Sequence, residues 1–465
     1  MLQWIAIIGG LLLMTTIATA QSPSGSPVPP DSDIRRILVD RIDHHRQSVG
    51  MVVGVIEPQG RRIVAHGGPD QRDPRPLNGD TVFEIGSVTK VFTALLLADM
   101  ARRGEVALDD PVAKYLPAEV KVPMRAGRSI TLQDLATHTS ALPRLPDNLP
   151  SSDPTNPYAD YSVEQLYHFI SNHQLTRDIG ATFEYSNLGA GLLGHVLARR
   201  AAMDYETLVR NRVLVPLGMS STAIALSPEL KSRLTAGHDA QLRPVPNWDL
   251  PTLAGAGALR STANDLLAFL AAALGHAASP IAPAVTTMQT VRRPAGGAGF
   301  EIALGWMVMA RGDDELIWHS GGTGGYRSFV GYLRKARVGV VVLSNTATEV
   351  GGDDIGFHLL DKALPLMPPP KEHKETTVDP TLFDGYVGRY RLAPNFILTV
   401  TREGNRLFAQ ATGQGMLEIF PEGERNYFYK VVDAQITFEP DERGRAVRLI
   451  LHQHGRDMPA PRIDE

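Results

Sequence analysis

The chain has 465 residues, 43% hydrophobic and 21% charged, the balance of a soluble globular protein with length for about two or three domains. Lys and Arg total 46 against 50 Asp and Glu, a net charge of −4, which supplies no basic field for a phosphate backbone and sets nucleic acid aside as a partner. The absence of cysteine excludes a disulfide framework, a thiolate nucleophile, a zinc ribbon and a lipidated N-terminal cysteine.

At the N-terminus, Trp4 to Ala20 is apolar and nearly uncharged, and it ends in Ala18-Thr19-Ala20 before a polar stretch. This reads as a secretory signal peptide, although Met1-Leu2-Gln3 lacks the usual Lys or Arg; the alternative is an uncleaved anchor, for which the run is short. Asp31 to Gln47 then carries Ile34, Ile37, Leu38 and Ile42 at helical spacing. Met51 to Ile56 and Arg62 to Ala65 flank a Pro-Gln-Gly turn and predict an antiparallel hairpin. From Val91 to Ala271 the apolar pattern is mostly helical, broken by a Pro-rich stretch from Pro143 to Pro157 that reads as a surface loop. Strand-like runs return at Leu304–Ala310, Glu315–His319, Arg327–Leu333 and Val338–Ser344, followed by a helical segment, Asp354–Leu364. A sheet assembled from both ends of the segment, with helices inserted between, makes one mixed α/β domain. Pro368 to Glu375 reads as a linker. Beyond it, five short alternating runs, Phe396–Thr401, Leu407–Ala411, Tyr427–Val431, Gln435–Phe438 and Val447–His452, predict a small barrel or sandwich.

Three short stretches carry chemistry. Gly86-Ser87-Val88-Thr89-Lys90 opens the apolar helical run Val91–Leu97, and at i, i+3 Lys90 lies beside the Ser87 hydroxyl. A buried lysine with a lowered pKa can accept the serine proton, and the helix N-terminus favours the developing alkoxide. The alternative is a capping serine with a solvated lysine. Tyr185-Ser186-Asn187 precedes the helical Leu188–Ala198 and can project Tyr185 and Asn187 into a cleft. A phenol with a pKa well below its usual value of about 10 relays a proton, and an amide binds a substrate carbonyl; the alternative is a helix cap with a packed tyrosine. His319-Ser320-Gly321-Gly322 ends a strand-like run, where glycines admit a substrate backbone. The N–H just after Gly321, with that of Ser87, can form an oxyanion hole; the alternative is a flexible turn.

Taken together and in this order, Ser87-Val88-Thr89-Lys90, Tyr185-Ser186-Asn187 and His319-Ser320-Gly321 resemble the three motifs of the penicillin-recognising serine hydrolases. The likeness is to the branch of class C β-lactamases, serine DD-carboxypeptidases, D-aminopeptidases and β-lactamase-like esterases. Thr131 to Ser140 and Leu253 to Leu267 are similar to further family stretches, with Ala141 standing where glycine is usual. The resemblance implies a β-lactamase/DD-peptidase-like fold, an antiparallel sheet flanked by helices with a helical cluster. It implies Ser87 as acylated nucleophile, Lys90 and Tyr185 as proton relay, Asn187, His319, Ser320 and Gly321 as substrate binders, and the N–H groups of Ser87 and Gly322 as the oxyanion hole. It implies no cofactor and no metal, and a small-molecule or peptide substrate. With Tyr386 to Tyr390 it also implies a lipocalin-like β-barrel, which either borders the site and sets substrate size or serves as a stabilising or partner-binding module.

The organisation expected is a signal peptide at 1–20, a hydrolase domain at 21–366, a linker at 367–379 and a barrel at 380–465, with no stable transmembrane domain once the leader is cleaved. His319 replaces the lysine usual in the β-lactamases. Partly charged near its reference pKa of about 6.5, it predicts a weaker, pH-dependent carboxylate clamp and favours a peptidase or esterase. Two readings of function stand: an exported serine hydrolase working through an acyl-enzyme, and a non-catalytic penicillin-binding or sensor protein that contacts a partner through the C-terminal domain.

Overall fold

A hairpin and six later strands build the sheet that carries the site, and their sequences show why both faces are covered. In this computed structural model, which describes residues 28–463 except 150–151, 298, 349, 369–372, 394–395, 413–414, 431, 433 and 454–455, strands β1 (Gly50–Glu57) and β2 (Gly60–Gly67) pair about the Pro-Gln-Gly turn. The expected leader, 1–20, lies outside the described residues. Six more strands follow late in the unit: β3 (Arg293–Pro294), β4 (Phe300–Ile302), β5 (Met307–Arg311), β6 (Asp314–Gly322), β7 (Arg327–Leu333) and β8 (Val338–Ser344). Their order is β2-β1-β8-β7-β6-β5-β4-β3, antiparallel throughout.

Alternation along β1 sends Met51, Val53 and Val55 to one face and Val52 and Ile56 to the other. The outer face is closed by α1 (Asp31–Val39) through Ile34 and Leu38, and by a helix at Asp353–Leu360 through Ile355 and Leu359. The inner face meets the main helical cluster, which includes α2 (Thr89–Arg102), α3 (Asn187–Ala201) and α4 (Ala263–Ala273), with the Asp353–Leu360 helix numbered α5. Every residue of α2 from Thr89 to Met100 is buried, which is why its sequence is apolar all round rather than striped. The glycines of Gly189–Gly194, which match a dinucleotide-binding pattern on paper, instead permit close packing: a Cβ on Gly194 would fall 2.9 Å from Gly255 Cα.

The chain divides into two compact units, Met1–Leu366 and Met367–Glu465. The second is a closed eight-stranded barrel, β9 (Gly388–Ala393), β10 (Phe396–Glu403), β11 (Arg406–Ala411), β12 (Met416–Pro421), β13 (Asn426–Phe428), β14 (Ala434–Pro440), β15 (Ala446–Gln453) and β16 (Arg456–Ile463), paired in sequence order. Its interior holds Tyr390, Val400, Ile436, Phe438 and Leu449, with Tyr386 stacked on Phe438 at 4.4 Å. Four of the five expected strands are present; the fifth, Tyr427–Val431, is a strand only as far as Phe428, and its residue 431 lies outside the described residues. Strands β9, β12 and β16 were not among the five. Strand β16 contains Pro459 and Pro461, residues that argue against a strand. They are tolerated because β16 pairs with β15 along its length but with β9 only at Arg462 and Ile463. His373 stacks on Phe428 at 4.9 Å, and the Thr376 N–H donates to Pro421 O at 2.9 Å, so the segment before the barrel packs on it. Among the described residues, no helix is long and apolar enough to cross a membrane.

Candidate active site

Ser87 sits in a single 3-10 turn, Gly86–Val88, that runs straight into α2. Gly86 has φ +47, and a Cβ there would fall 2.7 Å from both N and O of Gly322, so this position needs glycine for its backbone and for the approach of β6. One turn on, Lys90 Nζ lies 2.8 Å from Ser87 Oγ and donates to Ala256 O at 2.6 Å. Burial holds the ammonium well below its ordinary pKa, and the Arg144 cation pushes it the same way. Lys90 Nζ donates to both Ser87 Oγ and Ala256 O, and because burial favours loss of its proton, its lone pair is readily freed for the Ser87 proton.

Tyr185 and Asn187 reach the same cleft because Ser186, between them, caps α3. Its Oγ accepts from Gly189 N–H at 2.8 Å and donates to Pro143 O at 2.6 Å. The Tyr185 ring lies under Lys90 Nζ, 4.9 Å from the centroid, and it lines the cleft beside Ser87, whose hydroxyl acts on the phenol. Burial raises this phenol rather than lowering it, which corrects the expectation of an acidified tyrosine: the group stays protonated and serves as a donor. Asn187 lines the cleft; its Nδ2 donates weakly to Tyr158 Oη at 3.4 Å, while its buried Oδ1 has no hydrogen-bond partner among the described residues.

The third stretch supplies an open strand edge. Pairing between β5 and β6 ends at Met307↔Trp318, so from His319 to Gly322 the described residues pair β6 with β7 alone. The Thr323 N–H donates to Tyr326 O across the hairpin, and strand alternation therefore turns the Gly322 N–H to the open edge. Gly321 is held tight against the serine turn, where a Cβ would fall 2.1 Å from Ile85 O and 3.0 Å from Ser87 N. His319 is buried, and burial with the neighbouring Lys90 brings its pKa down to about 3. Its Nδ1–H donates to Ser320 O at 2.6 Å, leaving Nε2 as an acceptor. The expected partly charged clamp is thus replaced by a neutral imidazole across the whole neutral range, because burial outweighs the intrinsic basicity of the ring.

Ser87, Tyr185, Asn187 and His319 to Gly322 line one cleft of about 800 Å³, with Lys90 buried beneath Ser87, and the cleft also includes Arg144, Leu145, Tyr158, Trp248, Arg327 and Asp353. Residues 36–364 match the family model described as Beta-lactamase. The chain belongs to the β-lactamase family. Residues 372–462 match a second model, a domain of unknown function, DUF3471. The D-alanyl-D-alanine-carboxypeptidase/endopeptidase AmpH of Escherichia coli K12 is 30% identical over 331 residues, 67% of this chain and 83% of the relative. Penicillin-binding protein 4* of Bacillus subtilis is 24% identical over 440 residues, 88% of this chain and 94% of the relative. A crystal structure of a β-lactamase/D-alanine carboxypeptidase from Yersinia pestis superposes with a TM-score of 0.63 at 25% identity, covering 72% of this chain and 98% of that one. As a member of the β-lactamase family, the chain is a serine hydrolase.

At this β-lactamase-family site, sequence reasoning missed His138, Arg144 and Asp353. His138 adopts φ +55, stacks on Tyr185 at 4.5 Å and accepts from Ser186 N–H at 3.1 Å through Nδ1, so it orients the tyrosine loop; it lay inside the quoted Thr131–Ser140 stretch without an assigned role. Ala141, where the family favours glycine, does take φ +64, a left-handed conformation costing a side-chain-bearing residue about 1 kcal/mol. Arg144 comes from the Pro-rich loop, with its guanidinium 5.3 Å from the Tyr185 centroid; that loop is therefore a wall of the site rather than plain surface. Since the Arg144 cation lowers the Lys90 pKa, Arg144→Ala is expected to move the acidic limb of the kcat/KM profile to higher pH. A pH–rate profile checks this, and a limb that stays put or moves down would separate Arg144 from Lys90.

Proposed function

We propose that this chain is an exported serine hydrolase that forms an acyl-enzyme on Ser87 and hydrolyses an amide or ester bond in a D-amino-acid peptide, a β-lactam or a small ester. One observation carries the reading: Lys90 Nζ stands 2.8 Å from Ser87 Oγ, and burial holds its ammonium well below its ordinary pKa. As Ser87 Oγ attacks the carbonyl, its proton passes to Lys90 and the carbonyl π electrons move to oxygen. The N–H groups of Ser87 and Gly322 receive that oxyanion. Tyr185, protonated and beside the serine, donates to the leaving group and is reprotonated from Lys90 along the same path. Water then attacks the acyl carbonyl, its proton takes the reverse route, and Ser87 leaves with a proton.

Asn187 Oδ1 and the open edge of β6 orient the acyl portion. A neutral His319 offers a substrate carboxylate no permanent charge, which favours an ester or an amide without a free carboxylate over a β-lactam. The export component rests on the apolar run Trp4–Ala20 and the Ala18-Thr19-Ala20 end.

The test is intact-protein mass after brief and prolonged exposure to benzylpenicillin, with a D-Ala-D-Ala peptide and a short-chain ester as turnover substrates. A long-lived adduct with peptide or ester turnover is expected. A transient adduct with rapid penicillin loss would make the protein an efficient β-lactamase despite His319. No adduct and no turnover would overturn the hydrolase reading in favour of a binding protein.

A further inference from the structure

The cleft does not stop at the inner face of the sheet. Along β6, alternate side chains divide between the two faces: Ile317 joins the helical core, whereas Leu316 and Trp318 join the outer core with Phe357 of α5. His319 continues the first set and faces Lys90 and Tyr185, and Ser320 continues the second. Because β5 leaves β6 after Trp318, the cleft wraps around the open edge and takes in Met307, Trp318, Ser320, Arg327 and Asp353 from the outer side. A substrate segment paired along this edge would place successive groups on opposite faces, one toward Lys90 and the next toward Ser320.

The chemistry waiting on that outer side is acidic. Asp353 lines the cleft together with Ser320 and Arg327, and its carboxyl lies in the field of Arg327 and Asp354 with the Ser320 hydroxyl near enough to favour its ionised form. Burial brings its pKa up to about 6, so the desolvation cost outweighs the help from Ser320 and Arg327. Arg327 directs Nε to Thr348 O at 3.1 Å and Nη1 to Tyr326 O at 3.2 Å and Thr323 O at 3.3 Å, which commits those donors to the backbone. His319, with its pKa near 3, supplies no cation, and burial disfavours the Lys90 ammonium on the opposite face.

We infer that Asp353 is a specificity-determining residue that, through its position beside Ser320 on the outer side of the β6 edge, selects substrates bearing an ammonium or neutral hydrogen-bond donor there and rejects those bearing a carboxylate. The inference rests on the acyl-enzyme reading above and deepens it by naming a substrate class. A carboxylate placed against Asp353 meets a like charge in a partly dry site, whereas an ammonium gains a partner and recovers part of the desolvation cost.

Phenylboronic acids test this without requiring turnover, since boron takes up a serine oxygen reversibly. Meta and para isomers carrying aminomethyl, methyl or carboxyl groups would be titrated calorimetrically against the full chain and against Asp353→Asn. The aminomethyl probe is expected to bind the parent on the order of tenfold or more tighter than the carboxyl probe in at least one isomer series. Asp353→Asn should bring that ratio to within about twofold while leaving the methyl probe unchanged, which also shows that the variant is folded. An unchanged ratio in Asp353→Asn, or a parent that prefers the carboxyl probe, overturns the inference. Failure of the underlying reading is distinct: Ser87→Ala would then bind the methyl probe as tightly as the parent does. Absence of binding by all three probes would sink both.

Discussion

Ser87→Ala is expected to lower kcat by about 10⁴-fold or more and to abolish the penicillin adduct, with the folded structure retained. The magnitude follows from where the charge goes. Without Oγ no acyl-enzyme forms, and what remains is a water molecule in a cleft whose donors were set for a serine-bound oxyanion. Structural cost is small because the hydroxyl is not what builds the turn: Gly86 supplies the backbone at φ +47, and the Lys90 amine keeps its bond to Ala256 O at 2.6 Å. The backbone N–H of residue 87 also survives the substitution, so weak binding of penicillin without covalent attachment is part of the expected result. Intact mass separates the two states. If Ser87→Ala acquired the adduct as fast as the parent, the nucleophile would lie elsewhere and the whole assignment of the cleft would fall.

What could be read from the sequence depended on the range of the interaction involved. Ser87 and Lys90 are neighbours by helical geometry alone, so their spacing announced a pair before any fold was known. The cap at Ser186 was readable too, and the structure shows that cap and site to be one device, since fixing Ser186 Oγ on Gly189 and Pro143 points Tyr185 and Asn187 into the cleft. Ionisation states were not readable, because burial is a tertiary quantity. A tyrosine beside a lysine suggests a lowered phenol pKa, and a histidine suggests partial charge, until a dry cleft raises the first and lowers the second. Arg144, His138 and Asp353 stand at no diagnostic spacing from the motifs. Their roles arise only where a Pro-rich loop, the turn after a short helix and the start of α5 converge on β6. In the barrel, β16 was hidden by Pro459 and Pro461, whose local signal argues against a strand that closure of the ladder nevertheless holds.

Lys90→Met is expected to lower kcat by roughly 10²- to 10⁴-fold, the contribution of a positioned general base, and at the same time to change how stability depends on pH. In the folded parent, burial holds Lys90 well below its ordinary pKa, while in the unfolded chain a lysine stays protonated up to about pH 10.4. Between the lowered folded value and that upper limit the unfolded state binds the extra proton, so parent stability rises with pH through this window. Methionine has no proton to lose and removes this slope. The hydrogen bonds to Ala256 O and Ser87 Oγ are lost as well, but that cost varies little with pH and shifts the curve without tilting it. The variant should therefore compare most favourably with the parent at pH 6 to 7 and lose that advantage steadily toward pH 10, as read from Tm or urea midpoints across the range. Parallel curves would mean that Lys90 is charged in the folded protein and unable to take the Ser87 proton. A tilt together with a large loss of kcat would mean that the protein carries an instability at neutral pH for the sake of an amine basic enough, and dry enough, to activate its serine.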